Sequence, residues 1–314
     1  MTLRILAVFA EQSFPPCFPS SLMDVKPMLG TRRDKVGAMS ITPFISCPAT
    51  GTAFIGREGL VRSLRTRIAK GESLAVIGGP KLGKTSLVRT ALTGLSDRVV
   101  IEQDLATDPS PRFEVLPGSL VVLDNLDALE DSAIESLLAG LSTKRVSGLV
   151  VTGGRRLRNV LGKSGTGAGM RFRLYPLSVL LDGELRRLIG THPPIPLATW
   201  TGNHPYLTKL FLHYGDRAFD AGRSQWEPFL RHLVAEVGVG QERRLLSYLI
   251  DRAAPVNPTL AGSDTGIRDI KAVADTLVYL GVISRWIRHE EATLFAGCRL
   301  FNDFLTDGIG VPVP

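Results

Sequence analysis

The stretch "SLAVIGGPKLGKTSLVRTAL", residues 73–92, limits the folds open to this chain more than any other feature. Leu74 to Ile77 is an apolar run too short for a helix and bounded by turn residues, so it reads as a buried strand. The run "KTSLVRTAL" that follows the glycines has helical character. Between them, Gly78, Gly83, Lys84 and Thr85 satisfy G-x-x-x-x-G-K-[ST], with the strand before and the helix after that this pattern requires. The chemistry explains the spacing. Glycines let the backbone curl so that successive N–H groups point at phosphate oxygens, and the helix N-terminus adds its dipole. The loop Gly78, Gly79, Pro80, Lys81, Leu82, Gly83, Lys84, Thr85 and Ser86 is therefore expected to hold ATP or ADP. Lys84 is expected to reach the β- and γ-phosphates, and Thr85 to ligate Mg²⁺.

Three further apolar runs follow: "RVVIEQDL", "SLVVLD" and "SGLVVTGG". They alternate with helical segments, which implies an α/β fold with a parallel sheet and helices on both faces. The link "ATDPSPRFEVLPG" is too proline-rich for a full crossover helix. Asp124 ends the third strand and is expected beside the phosphate loop, holding Mg²⁺ through a water. The residue after it, where an acid often readies the attacking water, is Asn125, which accepts no proton at neutral pH. Asp127 lies three residues beyond Asp124. Either it swings back toward the γ-phosphate as the catalytic acid, or it caps the helix rich in Glu130, Asp131 and Glu135. At the end of the fourth strand, Thr152 is expected to hydrogen-bond the attacking water or a phosphate oxygen. Arg155 or Arg156 is expected to pair with the γ-phosphate, the alternative being that both face solvent or an acidic partner. A second "GKS", Gly162–Ser164, is a decoy: the position that needs the first glycine is Leu157, and no strand runs into it.

The flanks differ. Residues 9–52 are rich in Pro, Ser, Gly and Thr without a sustained period, and residues 1–52 are taken as a poorly ordered extension. "MTLRILAVFA" has one Arg and no clean small-residue cleavage site, so no secretory signal is expected. Core, helical lid and C-terminal domain are expected at 53–176, 177–238 and 239–314. Beyond residue 176 the signals are helical: "SVLLDGELRRLI", "PYLTKLFLHYGDRAF", "WEPFLRHLVAEV", "QERRLLSYLIDRA" and "IRDIKAVADTLVYLG". A hairpin, "VISRWIR" with "ATLFAG", and a last helix, "RLFNDFL", close the chain. Helices followed by a hairpin are the order of a winged helix. No apolar run reaches the roughly 18 residues of a membrane span. Cys17, Cys47 and Cys298 match no metal spacing, which suits a reducing, cytoplasmic setting. The net charge of +7 is concentrated in residues 143–190, which hold 10 basic and 2 acidic groups. Such a surplus suits phosphate, nucleic acid or an acidic partner.

Taken together, these residues resemble the STAND class of P-loop ATPases, signalling relatives of the AAA+ proteins, over about residues 53–306. "FIGREGLVRSL" resembles the family's F-x-G-R-E motif near the base, which brings Phe54 and Arg57 into the expected cofactor site. "LYPLS" resembles the junction after the fourth core strand. "TGNHPYLTKL" is similar to the G-x-P motif of the lid, and in the family that proline, here Pro205, approaches the adenine. "LGVISRWIRHEEATLFAGCRLFNDFL" resembles the winged helix. "DNLD" is closer to the NACHT branch than to the Asp-Asp or Asp-Glu of others, which favours Asp127 as the acid. The class usually carries an effector domain before the core and repeats after it, and this sequence has neither. Partner proteins are therefore expected to supply those functions, with the chain acting in a homo- or hetero-oligomer.

Two functions fit. In the first, ATP or ADP sits between core, lid and winged helix, and slow turnover changes how they pack. In the second, an origin-recognition-like ATPase inserts its winged helix into a DNA groove. The second is disfavoured because residues 226–314 hold 9 basic and 11 acidic groups. The expected recognition helix also sets Arg268 and Lys271 against Asp269 and Asp275. An ordinary phosphotransferase would need an acceptor-binding motif, and none is visible.

Overall fold

The computed structural model of the chain describes residues 4–6, 48–50, 54, 56–95, 98–110, 114–162, 171–189, 196–288 and 291–307. The phosphate-loop strand β2 (Leu74–Ile77) lies inside a parallel sheet with β3 (Val100–Asp104), β4 (Leu120–Asp124), β5 (Gly148–Gly153) and β6 (Arg173–Pro176). A short strand, β1 (Arg4–Leu6), pairs antiparallel with β3, giving the order β1-β3-β4-β5-β2-β6. Every position of β2, β4 and β5 is buried, which is why their sequences are continuous apolar runs rather than alternating ones. Their side chains nonetheless divide by the period of two. Leu74, Val76, Leu120, Val122 and Val150 meet one face, where α1 (Glu58–Ala69) and α2 (Lys84–Leu92) add Leu64, Ile68, Leu87 and Val88. Ala75, Ile77, Val121, Leu123 and Val151 meet the other, under α3 (Asp131–Ser142) and α4 (Arg155–Gly162).

This is the P-loop NTPase fold expected from the sequence, with one difference in the sheet. "LYPLS" contributes a strand, β6, where only a junction was expected. β5 lies between β2 and β4, and Asp124 at the end of β4 still meets the phosphate loop, as expected, through the Thr85 hydroxyl. Among the described residues, no helix joins β3 to β4, in line with the prolines between them. Of the segment read as an N-terminal extension, Arg4–Leu6 joins the sheet as β1, while residues 7–47 lie outside the described residues, as do residues 163–170 of the glycine-rich loop after the second "GKS".

The α3/α4 face does not end with the core. Its apolar cluster continues through Leu207 and Phe211 of α7 (Pro205–Tyr214), Phe229 and Leu230 of α8 (Arg223–Val237), Leu245 and Leu249 of α9 (Gln241–Arg252) and Leu277 of α11 (Ile270–Leu280). The helical segment also contains α5 (Asp182–Ile189) and the short α6 (Leu197–Thr201). The C-terminal unit adds α10 (Pro258–Thr265), the hairpin β7–β8 (Ser284–Arg288, Glu291–Phe295) and α12 (Arg299–Asp307). Neither α6 nor α10 was legible as a helix, being too short for a stable apolar period. Local chemistry sets their limits and those of α11. The side chains of Asn257 and Asp269 accept the N–H groups of Thr259 and Ala272, and Gly281 ends α11 at φ 78°. No helix among the described residues is long and apolar enough to cross a membrane.

Candidate nucleotide site

The register brings the site together. Ile77, the last residue of β2, stands beside Gly153 of β5 and Pro176 of β6, so the phosphate loop, Thr152 and the β6–α5 junction meet at the C-terminal edge of the sheet. Ligands of open α/β sheets bind at that edge. The loop turns through positive φ at Lys81 (56°) and Gly83 (90°). Lys84 reaches back so that Nζ donates to the carbonyls of Gly78 at 2.9 Å and Gly79 at 2.8 Å. Burial lowers the Lys84 pKa, and Asp127, Asp124 and Glu236 oppose that shift, so three carboxylates face this ammonium. A charged Lys84 on the loop axis is where terminal phosphates would find it.

Asp124 is buried and joins two strands to the loop. One carboxylate oxygen accepts the Thr85 hydroxyl at 2.7 Å, and the other accepts the hydroxyl of Thr152. Thr85 and Asp124 fit the expected Mg²⁺ site. A hydroxyl and a carboxylate are hard oxygen donors, they converge on each other, and Mg²⁺ is commonly held by few protein ligands together with phosphates and water. The described residues contain no cluster of three or more His, Cys, Asp or Glu that would suit another metal. Thr152 departs from its expected role. It is fully buried, its hydroxyl is given to Asp124, and its oxygen accepts the N–H of Asn125 at 3.1 Å. It positions the carboxylate and does not present a free hydroxyl to a phosphate.

Asp127 also departs from expectation. Asn125 adopts a left-handed conformation (φ 59°), its amide donating to Asp104, and a single 3-10 turn, Leu126–Ala128, follows. That turn carries the Asp127 carboxylate to the start of α4, still near enough to Lys84 to favour its charge. Its two oxygens accept the backbone N–H groups of Gly154 and of Leu157, the latter at 3.0 Å. Asp127 is a cap, but for α4 and not for the acidic helix α3 considered from sequence. Arg155 and Arg156, the two arginines expected to sense the γ-phosphate, lie in the first turn of α4. Arg155 donates to the Glu236 carbonyl and to Glu242, and Arg156 to the carbonyls of Asp127 and Leu129 and to Glu130. One turn on, the Arg158 guanidinium lies 5.3 Å from the centre of the Tyr279 ring.

Arg57 was expected near the base. It is a buried strut with φ 59°, bonded to the phosphate loop. Its guanidinium donates to the carbonyls of Leu82 and Ser178, and its N–H to Glu184 at 2.7 Å. It therefore fixes the loop against the β6–α5 junction. Phe54 packs against the α1/α2 core, Pro205 begins α7, and the Ser86 hydroxyl accepts the N–H of Ala49 at 3.0 Å.

The residues that spacing did not reveal come from far along the chain. The N–H of Gly79 donates to the Tyr279 carbonyl at 2.9 Å. A Cβ at residue 79 would come within 2.7 Å of the Leu280 carbonyl oxygen, so only glycine lets α11 seat on the loop. Lys81 lies 4.6 Å from the centre of the Tyr206 ring in α7. The helical segment and the C-terminal unit thus both touch the nine-residue loop.

No protein-family model matches the chain, and no curated protein matches it. Solved structures similar to it include the RuvB Holliday junction branch migration motor of Thermotoga maritima, at 15% identity and a TM-score of 0.40, covering 84% of this chain and 99% of that one. The Walker-type ATPase PABY2304 of Pyrococcus abyssi is similar at 14% identity and a TM-score of 0.49, covering 82% and 97%. At these values the likeness is one of fold alone.

Proposed function

We propose that the chain is an ATP-binding, slowly hydrolysing molecular switch of the STAND type, whose lid and winged helix respond to the nucleotide on Gly78–Ser86. One observation carries the reading: the Gly79 N–H bonds to the Tyr279 carbonyl, with Leu280 packed on the same glycine. A change in what the phosphate loop holds is felt one bond away by a unit some 200 residues distant in sequence. Lys84 would neutralise the terminal phosphates, and Thr85 and Asp124 would hold Mg²⁺, with Thr152 keeping Asp124 in place. A bound Mg²⁺ supplies charge neutralisation on the phosphates. Slow turnover agrees with Asp127, whose oxygens are already occupied by the backbone donors of Gly154 and Leu157. The alternative is that Asp127 acts as the catalytic acid. The output is read by partner proteins in the cytoplasm, within a homo- or hetero-oligomer.

Hydrogen exchange of the full chain with ADP, with ATP and without nucleotide tests this. Protection of residues 270–283 should differ between the states and stop differing in Lys84→Ala. Nucleotide binding with no change in those residues would overturn the switch and leave a simple nucleotide holder.

A further inference from the structure

His204 immediately precedes α7 and is 1% exposed. Neither of its ring nitrogens makes a hydrogen bond of good geometry, although the Pro80 backbone stands close to the ring, an uncommon state for a buried imidazole, which can donate and accept. Three units enclose it. The Phe229 ring of α8 lies 4.9 Å away, the side chain packs toward Gly281 of the C-terminal unit, and the Pro80 backbone of the phosphate loop is the one neighbour favouring its charged form. The charges that face it are Arg57 from the segment before α1 and Lys81 and Lys84 from the phosphate loop. Phe229 and Gly281 bring no titratable group, and Asp124, Asp127 and Glu236 face Lys84.

A buried imidazole with at least one unsatisfied nitrogen among three cations, at the N-terminus of a helix of ten residues, is a site whose missing component is an anion. We propose that His204 is a phosphate-contacting residue of the lid: when a nucleotide occupies the loop, the ring takes a proton from solvent and donates from both nitrogens, to a phosphate oxygen and to the Pro80 carbonyl. This rests on the nucleotide reading given above. Without an anion, burial and the three cations hold the ring neutral, with a pKa of about 3. A phosphate reverses the local potential and favours imidazolium. Proline has no N–H, so a carbonyl is all the Pro80 backbone can offer, and the charged ring has the two donors the arrangement can use. Nucleotide binding is then coupled to proton uptake, and the lid is drawn onto the loop by a charge that exists only when phosphate is present.

Calorimetric titration of the full chain with ADP and Mg²⁺, at pH 7 to 8 in two buffers of different ionisation heat, counts the protons taken up. We expect the parent to take up a fraction approaching one proton at pH 7, with affinity falling several-fold by pH 8. His204→Gln should bind about tenfold more weakly at pH 7 and take up none. Histidine-labelled parent protein, read by NMR, removes any dependence on the variant's folding: one imidazole should become charged on ADP addition at pH 7. Equal uptake in parent and variant, or no newly charged imidazole, overturns the proposal while leaving nucleotide binding intact. An altered preference between ADP and GDP with no proton uptake means the ring reads the base, which also overturns it. Failure of the parent to bind ADP at all would instead remove the nucleotide reading.

Discussion

Replacing Asp127 separates the two roles its position allows. Its carboxylate accepts two backbone N–H groups at the start of α4, from Gly154 and Leu157. Charge-assisted bonds are worth about 1.5–3 kcal/mol each, and loss of a helix cap about 0.5–2 kcal/mol. Asp127 is only half-buried, so water replaces part of what is lost. We expect Asp127→Ala to destabilise the protein by about 2–3 kcal/mol, toward the sum of one charged bond and one cap. Asp127→Asn keeps one acceptor oxygen but turns an N–H toward the second backbone donor, so it should cost about 1–2 kcal/mol. In a chain of 314 residues, that corresponds to a fall in Tm of roughly 3–5 °C for Ala and half as much for Asn. Thermal melts followed by far-UV circular dichroism read this directly, and single-turnover hydrolysis of the same samples completes the test. A capping residue predicts a rate within about tenfold of the parent below the melt. A positioned acid predicts a loss of about 10²–10⁴-fold for Asn with the melt unmoved. The second result would refute the cap and restore Asp127 as the acid.

Other substitutions address the loop and its neighbours. Lys84→Ala should lower nucleotide affinity about tenfold to a hundredfold, one charge-assisted contact, as read with a fluorescent nucleotide. Asp124→Asn should weaken Mg²⁺-dependent binding, and Thr152→Val should do the same more mildly by freeing the carboxylate; titration with and without Mg²⁺ compares them. Gly79→Ala should push Leu280 off the loop and raise hydrogen exchange in α11 while leaving α1 protected, since its Cβ would sit 2.7 Å from the Leu280 carbonyl oxygen. The His204 imidazole, with a pKa of about 3 in the fold and about 6.5 when exposed, binds more protons unfolded than folded. Stability from its burial is therefore present above pH 6.5 and lost as pH falls toward 3, by about 2 kcal/mol at pH 5. Urea melts at pH 7.5 and pH 5 should show that loss in the parent and not in His204→Gln.

The phosphate loop was legible because every requirement on it is local. Nine consecutive residues supply the turn, the cation and the hydroxyl, and the apolar run before and helical run after fix its setting. Strand identities were legible for a related reason, since burial on both faces leaves continuous apolar runs in β2, β4 and β5. Asp124 could be named because a strand ends on it. The pairing order of strands was not legible: equivalent apolar runs pair equally well on paper, and which run separates β2 from β4 depends on packing across both faces of the sheet. The direction of a side chain within one turn was not legible either. Arg155, Arg156 and Arg158 are alike in composition, and the helical phase set by Gly153 sends the first two to Glu242 and Glu130 and the third to Tyr279. What brings Tyr279, Leu280 and His204 onto the phosphate loop is the apolar cluster shared by α4, α7, α8 and α11, a long-range association with no period or motif in the sequence to announce it.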